Sequence, residues 1–179
     1  MLIKQSNKKL LFVALFATMT FAFTACGDDD EPDGGGNNKG VVGELTIDGT
    51  KTSFYYIQGE NTTDQLHKFD YDAALWRKDG EILSIQIYED IFKFSKGEDL
   101  SDRVTVLPTF GKFGGGHILE SGSITLTDID SKYITLTFDN AVVKEFSGYH
   151  DPLTIDGTIK LPIDGEMGSL KNIEGYEWI

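Results

Sequence analysis

The chain has 179 residues, 16 of them basic and 29 acidic, for a formal net charge of −13 at pH 7. An acid excess of that size disfavours nucleic acid as a partner, because such binding rests on Lys and Arg neutralising phosphates. A single cysteine, Cys26, rules out an internal disulfide and a multi-cysteine metal site.

The first segment, residues 1–25, opens on Lys4, Lys8 and Lys9, and Leu10 to Ala25 then runs 16 residues without a charge. Ala25 places a small side chain directly before Cys26. That order is the order of a secretory signal peptide, and the apolar run falls short of the roughly 20 residues that span a bilayer as a helix. An uncleaved anchor, or a plain signal beside an incidental cysteine, is the alternative. No polar face interrupts the run, which argues against a helix packed on a core. Residues 26–40 are of another kind: Asp28 to Lys39 contains no aliphatic or aromatic side chain, is rich in Gly, Asn and Asp, and reads as a flexible tether.

Phe23-Thr24-Ala25-Cys26 resembles the lipobox of bacterial lipoproteins, in which the signal peptide is cut before a cysteine that receives acyl chains. Ala25 and Cys26 match the commonest pattern, whereas Phe23 and Thr24 depart from it. Gly27-Asp28-Asp29-Asp30-Glu31 is similar to the acidic export signal that follows the cysteine in surface lipoproteins of the Bacteroidota. The resemblance ends before the domain. It implies an outer-membrane lipid partner through acylated Cys26, an export role for Asp28, Asp29, Asp30 and Glu31, and a domain that faces the exterior. Several acyl chains on one residue hold a protein stably where one chain holds it only marginally. From Gly34 onward, 13 basic and 24 acidic residues remain, a net charge of −11.

Residues 41–179 have the length of one domain. Their apolar pattern repeats every two residues: Leu45 and Ile47, then Phe54 and Tyr56, then Tyr71, Ala73 and Leu75, then Leu83, Ile85 and Ile87. Ile124 and Leu126, Ile134 to Phe138, and Leu153 to Leu161 continue it. Asp48-Gly49 between alternating runs predicts a β-hairpin, since both central turn positions require positive φ. Thr-Ile-Asp-Gly-Thr occurs at 46–50 and again at 154–158, and each copy is expected to be an extended segment reaching a turn. Only Ala73 to Lys78 has a polarity that suits a helical turn. Six to nine short antiparallel strands imply an all-β domain, an antiparallel β-sandwich first and a lipocalin-like β-barrel as the alternative.

Chemistry-bearing motifs are few. His67, His117 and His150 lie at no metal-ligand spacing and read as scattered exposed loop histidines. His150 and Asp151 are adjacent, so on a strand they face opposite ways. No Gly-x-Ser-x-Gly element surrounds Ser121, Ser123 or Ser147. Asp128 and Asp130 begin like a calcium loop, but Lys132 and Tyr133 stand where ligands and a Gly belong, so a polar turn is the better reading. No catalytic residue, metal or cofactor is assigned.

Aromatic side chains remain. Tyr55 and Tyr56 are adjacent, so one is expected to face out, and Trp76 and Tyr149 lie near strand ends. Exposed Tyr and Trp offer large rigid surfaces that stack on sugar rings or anchor protein contacts. The first functional reading is a non-catalytic surface module that binds an extracellular ligand, with glycan as the leading class. The second is an accessory subunit that binds other envelope proteins through Tyr55, Tyr56 or an edge strand. The third is an exported hydrolase built on two carboxylates, which requires convergent acids in a cleft and a raised carboxyl pKa.

Overall fold

In the computed structural model, the described residues are 39–62, 70–109, 115–148 and 150–175. Cys26, Asp28 to Glu31, His67, Tyr149 and Trp178 lie outside them.

Alternation of apolar and polar residues produces eleven strands: β1 (Gly43–Ile47), β2 (Thr50–Phe54), β3 (Tyr56–Asn61), β4 (Tyr71–Trp76), β5 (Ile82–Ile87) and β6 (Glu98–Asp99) in the first half. β7 (Val104–Pro108), β8 (His117–Ile129), β9 (Tyr133–Glu145), β10 (Leu153–Pro162) and β11 (Gly165–Gly168) follow. All pairings are antiparallel, and no α-helix occurs among the described residues. The strands form one sheet in the order β11-β3-β4-β5-β7-β8-β9-β10-β1-β2, with β6 added to β8, and the sheet curls strongly into a half-barrel.

Its inner face is one continuous cluster to which β1 to β5 and β7 to β10 all contribute. Tyr71, Leu75, Leu83, Ile85, Ile124, Leu136 and Ile155 are all fully buried within it. Burying such side chains removes about 25 cal/mol per Å² of apolar surface from water, which favours the curled form over a flat sheet. Tyr71 brings its hydroxyl inward and donates to the Pro162 carbonyl at 2.9 Å. Burial pushes that phenol well above the usual tyrosine range. At the same place β3 crosses close to β10, and a Cβ on Gly59 would sit 1.8 Å from the Pro162 oxygen. Only glycine permits that approach.

The predicted hairpin at Asp48-Gly49 is present: Ile47 pairs with Thr50, and both turn residues have positive φ, 48° and 72°. Three local expectations change. Ala73 to Trp76 is strand rather than helical turn, because Ala73 and Leu75 reach the core from β4. The second Asp-Gly pair makes a bulge inside β10, not a turn. Finally, Phe54 and Tyr56 do not share the core face. Phe54 and Ile57 do, at 0% exposure, so the alternation slips by one residue at Tyr55.

The strand expected from Ile124 and Leu126 extends over 117–129, with three irregularities in its register against β9. Asp130 closes the following turn, accepting from the Lys132 and Tyr133 amides at 2.7 and 2.8 Å. Those two bonds hold its carboxyl below the usual range.

Candidate functional site

Tyr55 stands at a fork. It alone separates β2 from β3, and the two halves of that run pair with different neighbours: β2 with β1, and β3 with β4 and β11. The Tyr55 amide donates to the Trp76 carbonyl at 2.9 Å, and the Ser169 amide approaches the Tyr55 carbonyl at 3.4 Å. Beyond Trp76 the chain turns back through Arg77 to Glu81, closed by Arg77 N–H to Glu81 O at 2.9 Å. β2 and that turn therefore diverge from Tyr55, and a groove of about 550 Å³ lies between them. A second groove, of about 360 Å³, shares Tyr55, Lys78 and Glu174 with the first. Volumes of this order suit a small ligand or a short segment of polymer.

The lining is unusual for so acidic a domain. Lys51, Arg77 and Lys78 line the larger groove, and Lys39 and Lys171 line the smaller with Lys78. Asp48, Asp79 and Glu174 are the acids. Each acid is engaged. Asp48 accepts from the Thr154 amide at 2.8 Å. Asp79 accepts from the Glu81 amide at 3.1 Å and holds one Arg77 nitrogen at 2.7 Å. Glu174 meets Lys78 at 3.3 Å. Glu81 takes the other arm of Arg77 at 2.9 Å, which fixes the guanidinium plane. Lys51 reaches back across β1 to Glu44 at 2.8 Å, and this bond holds the Glu44 carboxyl below its usual range. Cations, a half-exposed phenol and a strand edge that pairs with no described strand are what the groove offers a ligand.

The predicted aromatics divide between this groove and the outer face of the sheet. Tyr55 is half-buried and lines both grooves. Tyr56 is buried at 5% exposure but belongs to no core layer. It sits opposite Trp76 in register, ring centroids 5.0 Å apart and tilted by 60°, and its hydroxyl donates to Glu166. Tyr56 therefore supports Trp76 instead of presenting a face of its own, and Trp76 is the half-exposed member of the pair.

On the same outer face, Asp72 accepts from Ser84 at 2.8 Å. Burial raises its carboxyl above the usual range, against the lowering pull of Ser84. The Asp72 carboxyl does not line the groove, so the convergent cleft acids that a two-carboxylate hydrolase requires do not coincide with this raised one.

A second polar cluster was not foreseen. His117 is fully buried on β8 directly opposite Glu145 of β9, correcting its reading as an exposed loop histidine. Its Nδ1 lies 3.0 Å from the Gly115 carbonyl. Glu145 is itself buried and meets His150 Nδ1 at 2.9 Å. His150 thus pairs with Glu145. Among the described residues no group of three His, Cys, Asp or Glu side chains is arranged to hold a metal ion. Only the pairing of two strands joins His117 to Glu145, so no sequence spacing signals the contact.

Comparison with known proteins finds no matching family model, no matching curated protein and no matching solved structure.

Proposed function

We propose that this chain is a lipid-anchored surface lipoprotein of the bacterial outer membrane whose β domain binds an extracellular ligand without transforming it. Cys26 and the acidic run Asp28 to Glu31 support the anchor and the outward address. The groove at Tyr55 carries the binding reading: a half-exposed aromatic ring stands between two cation-lined recesses on an otherwise acidic domain. Glycan is the leading ligand class, since a phenol face stacks on a sugar ring while Lys and Arg donate to hydroxyl or carboxylate oxygens. Among finer architectures we favour the barrel alternative over the sandwich, because the run 50–61 supplies β2 at one end of the curled sheet and β3, one strand in from the other end.

Thermal-shift titration of the purified chain against neutral and uronate oligosaccharides tests the reading. A ligand at a hundredfold over its dissociation constant stabilises the fold by about 2.7 kcal/mol. The expected result is a shift that Tyr55→Ala removes while the unliganded melting point stays within a few degrees. A shift that survives Tyr55→Ala places the ligand elsewhere. Protease shaving of intact cells checks the address, and a chain cut only after lysis would overturn it.

A specific observation favours a second reading, that of an accessory subunit binding another envelope protein: the outer edge of β2 is paired with no described strand.

A further inference from the structure

We propose that the free edge of β2 accepts an extended acidic peptide of a partner protein as an added antiparallel or parallel strand. The inference rests on the second reading above and supplies its site and the chemistry of its partner.

Register decides which backbone groups are available. Ile47 and Thr50 close a two-residue hairpin, so they form a hydrogen-bonded pair, and Thr52 and Phe54 point the same way toward β1. The Val42 amide donating to the Phe54 carbonyl at 2.8 Å agrees with that parity. Lys51 and Ser53 consequently direct N–H and C=O away from β1, into the groove. Tyr55 shares their parity, and its amide already donates on that side, to Trp76. Strand pairing along this edge begins at Tyr55 and stops where β2 opens.

The two ends of the sheet differ in how they treat such exposure. β11 is a four-residue edge with glycine at both ends, a short edge of the kind that discourages further pairing. β2 keeps five residues beside a groove. Its one edge lysine, Lys51, which would otherwise repel an added strand, is drawn to Glu44 on the neighbouring strand. Main-chain pairing then gives the affinity, as in strand addition generally, and the groove's side chains select.

Charge specifies the partner. Lys39, Lys78 and Lys171 line the smaller recess against a single acid, Glu174, whereas Lys51 and Arg77 of the larger one are held by Glu44, Asp79 and Glu81. A peptide with Asp or Glu at alternate positions would set those carboxylates toward Lys78 and Lys171. A basic peptide would meet the same cations and a net-negative domain only elsewhere.

The test selects a displayed library of random peptides on the immobilised full chain, then measures the selected peptides by titration and by amide hydrogen exchange. The expected result is an acidic, strand-prone family whose binding newly protects the Lys51 and Ser53 amides. Ser53→Pro, which removes the outward-facing N–H together with the hydroxyl that donates to Glu44 at 3.0 Å, should weaken these peptides about tenfold or more with the melting point lowered by no more than a few degrees. If Ser53→Pro fails to fold, the exposed pair Lys78→Glu and Lys171→Glu serves instead, with the same loss expected. No acidic family, or peptides indifferent to both variants, overturns the proposal. So does protection of Lys51 and Ser53 before any peptide is added, which would put a second copy or another part of this chain on the edge. Oligosaccharide binding lost on Tyr55→Ala, with no peptide bound, removes this inference and leaves the groove reading standing. Failure of both probes removes both.

Discussion

Thr-Ile-Asp-Gly-Thr is used twice in this protein, and the two copies fold differently. At 46–50 it ends β1, turns through Asp48 and Gly49 and starts β2. At 154–158 it continues straight through β10, with Gly157 at φ 118° marking a slip in the register against β9. The copies also pair with each other: Thr46 lies opposite Asp156, and Ile47 opposite Ile155. Both aspartates do local work, Asp48 accepting from the Thr154 amide and Asp156 from the Asn140 amide at 2.7 Å. Five residues therefore specify an extended segment with a break after it. Whether the break reverses the chain depends on what lies beside it. The first copy is followed by residues that pair back on β1, whereas the second has β9 along its whole length to hold it straight.

Substitution can break this comparison at several strengths. The largest effect is expected at the isoleucines. Ile155→Ala should cost about 4 kcal/mol and Ile47→Ala about 2 to 3, because the first empties a fully enclosed position and the second lies nearer the edge. Chemical denaturation gives both values, and equal costs would mean the two strands are packed alike. Since these side chains oppose each other, the double variant should lose less than the sum.

Next come the glycines. Gly157→Ala should cost about 2 kcal/mol and Gly49→Ala about 1, since φ 118° is a region L residues scarcely enter while φ 72° is the left-handed region they enter at modest cost. Nothing lies within 4 Å of a Cβ on Gly49, whereas one on Gly157 meets Leu45 at 3.5 Å. A reversed order in melting experiments would show that β10 relaxes its bulge more easily than the hairpin relaxes its turn.

A smaller contrast concerns carboxylates. Asp130 is governed by two amides of its own turn and Asp72 by burial on the sheet, so their pH dependences have opposite signs. The lowered Asp130 contributes stability above the ordinary carboxylate pKa and loses it as pH falls through its folded value. Asp130→Ala should therefore lower the melting point at pH 7, and the deficit should shrink in acid. Asp72 carries a cost that is complete above its raised folded value and disappears below the ordinary one. Asp72→Asn should thus leave the melting point at pH 7 unchanged or slightly higher, with any gain fading toward pH 3. A clear loss at pH 7 would show that the charged form is needed by Ser84 and Gln86.

The candidate site divides in the same way. Sequence reasoning selected Tyr55 and Tyr56 because adjacent aromatics leave one ring toward solvent, and Trp76 because it lies near a strand end; of these, Tyr55 does line the groove. The cations that accompany it, Lys39, Lys51, the adjacent Arg77 and Lys78, and Lys171, come from four separate places in the chain. No motif unites them, so only the fork at Tyr55 reveals them as one surface. Tyr56 was misplaced because a one-residue slip exchanges the faces of everything after it, and the slip itself has no residue signature in Phe54-Tyr55-Tyr56. His117 was misread because a histidine inside a strand is buried or exposed according to what the opposite strand supplies, here Glu145.

By itself, the sequence determined that the domain is all-β, where most strands run, which of their faces is apolar and that Asp48-Gly49 turns the chain. Each of these follows from preferences acting within a few residues: alternation on a pleated backbone and positive φ at a tight turn. The tertiary structure alone decided how the strands join into one curled sheet, that β2 and β3 part at Tyr55, that Gly157 bulges and that His117 stands opposite Glu145 in register. Those outcomes depend on contacts between residues far apart in the chain, some by more than a hundred positions, and their energies exist only once the sheet has curled around its core.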